Sequence, residues 1–327
     1  MRITRFVTVL ALVASGAPAA FSKSVPLEEA PKKSAEVSVG YVLVPVVVTD
    51  VKGRAIAGLK EKEFTLVVEG RPVALDLFTA SEIAPVSFTI LLDGSGSMGL
   101  AGKMEGARAA LEALVSRARP EDDFSLYVFS EGAVREVVPF TSDGGRLVRA
   151  ARAVQPYGKT AFFDALAKMP DRTLLGKNGS RAIVLLTDGI DNASVLSRER
   201  LEELLQGVDV PVYPIGLRAT SAGSGPGTQG EHDIDVNLLK RIAFQTGGRF
   251  ALVEEPGMLA SAIEEIEKDL RSQYLLGFTP TGAGPVKYRD ISLLVARRIG
   301  TYRVRSGYRG TEPPWLETPD EKKGSKR

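Results

Sequence analysis

Three oxygen-bearing side chains, Asp93, Ser95 and Ser97, stand at alternate positions in the segment LLDGSGSM, residues 91–98. The apolar run before Asp93 predicts a buried strand, and a helical pattern begins soon after Ser97. In a parallel α/β sheet, such a loop lies at the carboxyl edge, where ligands bind. One carboxylate and two hydroxyls are hard donors, which suit Mg²⁺, Mn²⁺ or Ca²⁺. Taken alone, this spacing also fits a helix-capping serine run beside a structural aspartate.

Two later segments favour a metal site over that alternative. Thr160 stands in the loop GKTA, residues 158–161, immediately before a predicted helix. Asp188 directly follows another apolar run, Ile183–Thr187. If the strands are parallel, both side chains lie at the same end of the sheet as Asp93. Asp164 and Asp191 could support such a site from behind, although helix capping or exposure on the surface also explains them.

Composition excludes several other classes of function. The 327 residues contain no cysteine and one histidine, His232, so thiolate sites, disulfides and histidine-rich zinc sites are impossible. A serine–histidine–acid triad could use only His232, which lies beside a glycine-rich loop. Lys and Arg total 42 against 40 for Asp and Glu, and this near-neutral balance does not predict a nucleic-acid binder. Residues 97–104 depart from a phosphate-binding loop at Ser97 and Met104.

The elements that must position these residues alternate between strand and helix after Pro85. Strands are predicted over 86–92, 124–129, 183–187 and 210–215, and helices over 103–118, 145–154, 235–246 and 258–271. This alternation predicts an α/β fold, a doubly wound and mostly parallel sheet with flanking helices. We assign residues 83–272 to this domain. The glycine-rich segment Ser221–Gly230 is expected to be a flexible loop within it.

Strands without intervening helices are predicted on both sides of this domain. They cover residues 37–48, 64–68 and 73–78 on one side and 274–278, 288–295 and 301–305 on the other. We expect the two groups to pair, which gives a small β-sandwich-like domain formed from residues 36–82 and 273–309. The Pro-rich, charged residues 310–327 are expected to be a disordered tail.

The first 35 residues predict export. Arg2 and Arg5 precede the short apolar core Phe6–Ala14, and small residues follow it, so residues 1–22 are interpreted as a signal peptide. Residues 23–35 are interpreted as a flexible leader. The apolar core is shorter than the roughly 20 residues that span a bilayer, and no later segment predicts a membrane span. We therefore expect a soluble mature protein in the periplasm or outside the cell.

The three loops resemble the metal-ion-dependent adhesion site (MIDAS) of von Willebrand factor A domains, whose fold is Rossmann-like. The resemblance implies that Asp93, Ser95, Ser97, Thr160 and Asp188 hold Mg²⁺, or else Mn²⁺ or Ca²⁺, partly through water. It also implies an open coordination position, which a partner protein's Asp or Glu carboxylate fills. Residues 36–92 and the end of the chain, QYLLGFTP to YRVRSGYRG, resemble the VWFA-related proteins of acidobacteria.

Three functions are compatible with these observations. The favoured one is a non-enzymatic, metal-dependent binding module of the adhesion type, whose partner is a protein and not a nucleic acid. A metal-dependent hydrolase is the first alternative, although no general base is evident in the sequence. In the second alternative, the metal only stiffens the loops, and the β domain or the Ser221–Gly230 loop contacts the partner.

Overall fold

In the part of the chain that the structure describes, strands and helices alternate between residues 86 and 271, and the segments on either side contain strands without an α-helix. The computed structural model describes residues 41–81, 85–218, 234–255, 257–282, 284–296 and 300–316. The predicted signal peptide and leader, the Ser221–Gly230 segment and His232 lie outside these residues. The strands are β1 (Val42–Thr49), β2 (Phe64–Val68), β3 (Arg71–Pro72), β4 (Leu77–Ser81), β5 (Val86–Asp93), β6 (Asp123–Ser130), β7 (Ala133–Thr141), β8 (Ser180–Thr187), β9 (Val212–Leu217), β10 (Ala251–Val253), β11 (Gln273–Phe278), β12 (Lys287–Val295), β13 (Thr301–Val304) and β14 (Gly307–Gly310). The helices are α1 (Lys103–Ser116), α2 (Gly144–Ala153), α3 (Phe162–Leu166), α4 (Met169–Thr173), α5 (Arg198–Leu205), α6 (Val236–Thr246) and α7 (Met258–Arg271).

The central sheet has the strand order β10-β9-β8-β5-β6-β7, and only the β6–β7 pair is antiparallel. Every residue of β5 is buried, because helices cover both of its faces. Phe88, Ile90 and Leu92 pack in one core with α1, α2 and α7. Leu91 points the other way and packs in a second core with residues of α3, α4, α5 and α6. The predicted fold, a doubly wound and mostly parallel sheet, is confirmed.

Two further sheets contain strands from before and after the α/β domain. One sheet has the order β13-β1-β11-β4 and the other β14-β12-β2-β3. Their apolar side chains meet in one core that includes Val44, Leu66, Leu276 and Leu293. We call these eight strands the β unit. The predicted β-sandwich-like arrangement of N-terminal and C-terminal strands is confirmed by the pairing of β1 with β11 and of β12 with β2.

Two predictions for the β unit are wrong. Residues 73–76 are not in a strand, because Val73 makes only an isolated bridge to Trp315, and β4 begins at Leu77. Residues 310–316 are not a disordered tail. Gly310 ends β14, the backbone N–H of Leu316 donates to the carbonyl of Pro72, and Trp315 packs against the core of the β unit. This single tryptophan supplies the apolar contact that the charged tail composition had obscured.

Buried polar contacts fasten the β unit to the α/β domain. The guanidinium of Arg305, only 1% exposed, forms an ion pair with Asp209 and donates to the carbonyl of Gly307 at 2.7 Å. The side-chain amide of Gln273, at the start of β11, donates to the hydroxyl of Tyr213 in β9 at 3.1 Å. These contacts fix the end of the domain opposite the carboxyl edge of the sheet. Within the described part of the chain, no helix is long and apolar enough to cross a membrane.

Candidate metal centre

Asp93 is the last residue of β5 and is fully buried at the carboxyl edge of the central sheet. Its Oδ1 accepts a hydrogen bond from the backbone N–H of Ser95 at 2.9 Å. Its Oδ2 accepts one from the hydroxyl of Thr187, at the end of the neighbouring strand β8, at 2.7 Å. We call residues 94–98, 158–161 and 188–197 the first, second and third loops. The two bonds fix the orientation of the Asp93 carboxylate between the first loop and the end of β8, from which the third loop begins.

Ser95 and Ser97 follow in a tight loop that contains one 3₁₀ turn, Gly96–Gly99. Their hydroxyl oxygens are 3.1 Å apart, so both face the same small volume. Glycine is required at position 94, because a Cβ there would lie 2.8 Å from a methyl carbon of Val128. Close packing at Gly94 therefore fixes the start of this loop, and the two hydroxyl oxygens, which hydrogen-bond to each other, can both coordinate an ion in that volume.

Thr160 is buried in the second loop, just before α3. Its backbone N–H donates to the side-chain oxygen of Asn192 at 2.8 Å, and its carbonyl accepts from the backbone N–H of Asn192 at 3.0 Å. The first and second loops are also joined directly, since the N–H of Gly96 donates to the carbonyl of Gly158 at 3.0 Å. Thr160 is thus placed beside the serine loop, although it comes from a different part of the chain.

Asp188 follows β8 and is buried in the third loop. Its Oδ2 accepts a hydrogen bond from the ammonium of Lys103 at 2.8 Å, across 85 residues of sequence. Its Oδ1 is buried and has no hydrogen-bond partner. An unpartnered carboxylate oxygen in the interior is unfavourable, so a cation or a hydrogen-bond donor beside this atom would stabilise it.

The electrostatics of the site support the same conclusion. The pKa of Asp93 is raised from 3.8 to about 6. Burial is the main cause, and the negative charge of Asp188 adds to it, while hydrogen bonds from Ser95 and Thr187 oppose the rise. Two buried carboxylates therefore lie near each other, and the ammonium of Lys103 contacts one of them, Asp188. A divalent cation would neutralise this excess negative charge and give Asp188 Oδ1 a partner. The residues present thus fit a hard divalent ion.

The structure places all five predicted ligands at one edge of the sheet. Two carboxylates and three hydroxyls form the candidate donor set, and among the described residues no group of three or more Asp, Glu, His or Cys side chains is arranged to hold a metal ion. Any ion at this edge would therefore depend on Ser95, Ser97 and Thr160 as well as on the aspartates.

Two other aspartates order the loops. Asp191 accepts the backbone N–H of Phe163 at 2.9 Å, and Asp164 accepts those of Val195 and Leu196, both at 2.9 Å. Each carboxylate therefore joins the segment after Thr160 to the segment after Asp188 by hydrogen bonds. This agrees with the prediction that the two aspartates support the candidate ligands.

Sequence reasoning missed three residues that contact the candidate ligands, and Asn192, which binds the backbone of Thr160, is one of them. Thr187 holds Asp93, and Lys103 pairs with Asp188. The only sequence signal for Thr187 is a hydroxyl at the last position of an apolar strand, next to Asp188. For Lys103, the signal is a cation at the first position of α1, where an acidic residue is usual.

Comparison with known proteins identifies the domain that contains this site. A family profile described as the von Willebrand factor type A domain matches residues 88–190. An uncharacterized protein of Borreliella burgdorferi is 26% identical over 206 residues, which cover 57% of this chain. The matched region spans 59% of the length of that relative.

Solved structures show likeness at low sequence identity. The conserved hypothetical protein BatB from Bacteroides thetaiotaomicron is 21% identical, with a TM-score of 0.44, and the match covers 57% of this chain and 100% of that one. The von Willebrand factor type A protein from Catenulispora acidiphila is 16% identical, with a TM-score of 0.49, and the match covers 86% of this chain and 75% of that one. The family resemblance predicted from the three loops is confirmed, and the chain carries a von Willebrand factor type A domain.

Proposed function

We propose that this protein is an exported binding module that captures a carboxylate of a partner protein through a divalent cation. The cation would be held by Asp93, Ser95, Ser97, Thr160 and Asp188. Domains of this family generally act as protein-interaction modules and not as enzymes, which supports the binding role. The observation that carries the proposal is the buried Oδ1 of Asp188, which lacks a partner beside a second buried carboxylate.

The donor set favours an anionic ligand. A bound divalent ion would supply an electrophilic position that a carboxylate oxygen can take. Asp93 and Asp188 together balance its charge, and the ammonium of Lys103 then leaves one positive charge in excess. A partner's Asp or Glu side chain would neutralise that charge, whereas a neutral amide would not.

Export is the second part of the proposal, and it rests on the signal peptide predicted at residues 1–22. Fractionation of the source organism tests it directly. The expected result is protein in the periplasm or culture fluid that lacks the first 22 residues, as read by mass spectrometry of its N-terminal peptide. Full-length protein confined to the cytoplasm would contradict export without affecting the metal site.

Metal binding is tested by isothermal titration of the EDTA-treated, dialysed protein with Mg²⁺ and Mn²⁺. We expect one site per chain in the wild type and no binding by Asp93→Ala or Ser95→Ala. Asp290→Ala serves as the matched control, because Asp290 is exposed on β12 in the β unit. Equal binding by wild type and Asp93→Ala would place any metal elsewhere and refute the proposed site.

The binding role is tested by retention of proteins from the source organism's envelope and culture fluid. The full chain is the bait, first with Mg²⁺ and then with EDTA, and Asp93→Ala and Asp290→Ala baits are run beside it. We expect a partner that is retained only with Mg²⁺ and only by wild type and Asp290→Ala. A peptide of that partner whose Asp or Glu is changed to the amide should then fail to bind. If the same proteins are retained with and without metal, the site is structural and the proposed mode of capture is wrong.

A further inference from the structure

Lys103 occupies an unusual position for a lysine. It is the first residue of α1, where the partial positive charge of the helix N-terminus disfavours a cation. Nevertheless its side chain is only 9% exposed, and its ammonium lies 2.8 Å from Oδ2 of Asp188, which is 2% exposed. The attraction that holds Lys103 there is therefore the buried carboxylate and not the helix.

We propose that Lys103 competes with the metal for Asp188. Its ammonium pairs with Asp188 when the metal is absent and opposes the binding of a divalent ion. This inference rests on the proposed function, because it concerns the same five ligands. Lys103 is not a ligand itself. It is a residue that sets how tightly the centre holds its metal.

The competition follows from the charges around Asp188. A lysine ammonium is a compact point charge, so an ion placed among the ligands is repelled by it at short range. The ammonium also holds one of the two oxygens of Asp188, and an ion that needs that oxygen must displace it. Metal binding therefore requires either a shared carboxylate with two nearby cations or movement of the lysine side chain.

The structure offers Lys103 a place to move. A cavity of about 180 Å³ lies beside α1, and Lys103, Arg218, Glu254 and Glu255 are among its lining residues. Glu254 and Glu255 are exposed carboxylates at the end of β10, and Glu254 already forms an ion pair with Arg218. When Lys103 leaves Asp188, its ammonium can therefore enter this cavity, where Glu254 and Glu255 supply negative charge.

One consequence is that metal and partner bind cooperatively. With Lys103 close by, the ion alone is held weakly, and a carboxylate from the partner relieves the excess positive charge. The free protein would then be partly metal-free at low Mg²⁺, and capture of the partner would complete loading.

The test measures Mg²⁺ affinity and metal-free stability in the full chain. Lys103→Met removes the charge, Lys103→Gln keeps a hydrogen-bond donor without charge, and Lys103→Arg keeps the charge. Lys159→Met is the matched control, because Lys159 is exposed beside Thr160. We expect Lys103→Met and Lys103→Gln to bind Mg²⁺ about tenfold or more tightly than wild type, with Lys103→Arg and Lys159→Met within about threefold of it.

Thermal unfolding in EDTA supplies a readout that does not depend on metal. Lys103→Met leaves Asp188 buried without a counter-charge, so its melting temperature should fall below that of wild type, and saturating Mg²⁺ should restore it. If Lys103→Met does not fold, both measurements are made on Lys103→Gln.

Two outcomes would overturn the inference, and they are distinguishable. Unchanged or weaker Mg²⁺ binding by both uncharged variants, with wild-type binding intact, would show that Lys103 does not compete, and the proposed metal centre would stand. Absence of Mg²⁺ and Mn²⁺ binding in wild type and in all variants would refute the metal centre, and the inference with it.

Discussion

Replacement of Asp93 by asparagine should abolish metal binding and yet stabilise the metal-free protein. Asp93 has a pKa of about 6 in the folded chain, against an ordinary value of 3.8, because it is buried and lies near Asp188. The folded state therefore holds the proton more tightly than the unfolded state does. As the pH rises from 3.8 through 6, the unfolded state loses its proton first, and the free energy of unfolding falls.

The magnitude follows from these two pKa values. Above pH 6 the buried charge of Asp93 destabilises the fold by about 3 kcal/mol. The same linkage gives about half of this amount at pH 5 and less than about 1 kcal/mol at pH 4. Asparagine has nearly the same shape and never ionises, so Asp93→Asn should regain these amounts in EDTA.

Urea denaturation of both proteins in EDTA, followed by far-UV circular dichroism, measures the difference at each pH. The expected result is a variant that is more stable than wild type by about 3 kcal/mol at pH 7.5, with a gain that shrinks toward pH 4. Saturating Mg²⁺ should stabilise the wild type alone and reduce the difference. A variant that is less stable at pH 7.5, or a gain that does not depend on pH, would refute the reasoning.

Three further predictions concern the metal site and the stability of the fold. Because a divalent ion needs Asp93 deprotonated, Mg²⁺ affinity should fall about tenfold between pH 7.5 and pH 5 by isothermal titration, and a constant affinity would contradict this. Asp122→Ala removes the buried ion-pair partner of Arg271 at 2.7 Å and leaves that guanidinium with Glu267 alone, so urea denaturation should show a loss of about 3 kcal/mol. A loss below 1 kcal/mol would show that water replaces the carboxylate. Gly248→Ala would place a Cβ 1.9 Å from a carbonyl oxygen of β9, so it should lower the free energy of unfolding by more than about 2 kcal/mol. The control is Gly179→Ala, which has open space around it and should change the free energy of unfolding little.

The sequence predicted those elements whose burial pattern is one-sided or complete. The strand β5 was recognisable from a continuous apolar run, and α7 from apolar residues at helical spacing, and both match the structure. In contrast, β7 was missed, because it is an edge strand with exposed charges at Arg135 and Glu136 and one antiparallel neighbour. The helix α5 was missed as well, since charged residues outnumber apolar ones in it.

For the site, the sequence predicted which side chains share an edge but not what holds them. Parallel strands bring their carboxyl ends together, so the positions of Asp93 and Asp188 followed from order along the chain. The Lys103–Asp188 pair joins residues 85 positions apart, and the unpartnered Oδ1 of Asp188 is a property of burial. Neither has a local pattern that could be read before the fold was known.

The arrangement of the β unit sets an order in which the chain can fold. Val46 in β1 pairs with Tyr274 in β11 and with Val304 in β13, so β1 has no partner in its sheet until the chain beyond the α/β domain is available. When the chain is released with its N-terminus first, the valine-rich β1 is exposed while the central sheet forms. Pro45 within β1 removes one backbone donor and makes pairing with foreign strands less favourable during that interval. The α/β domain is therefore expected to form first, and the β unit to close last.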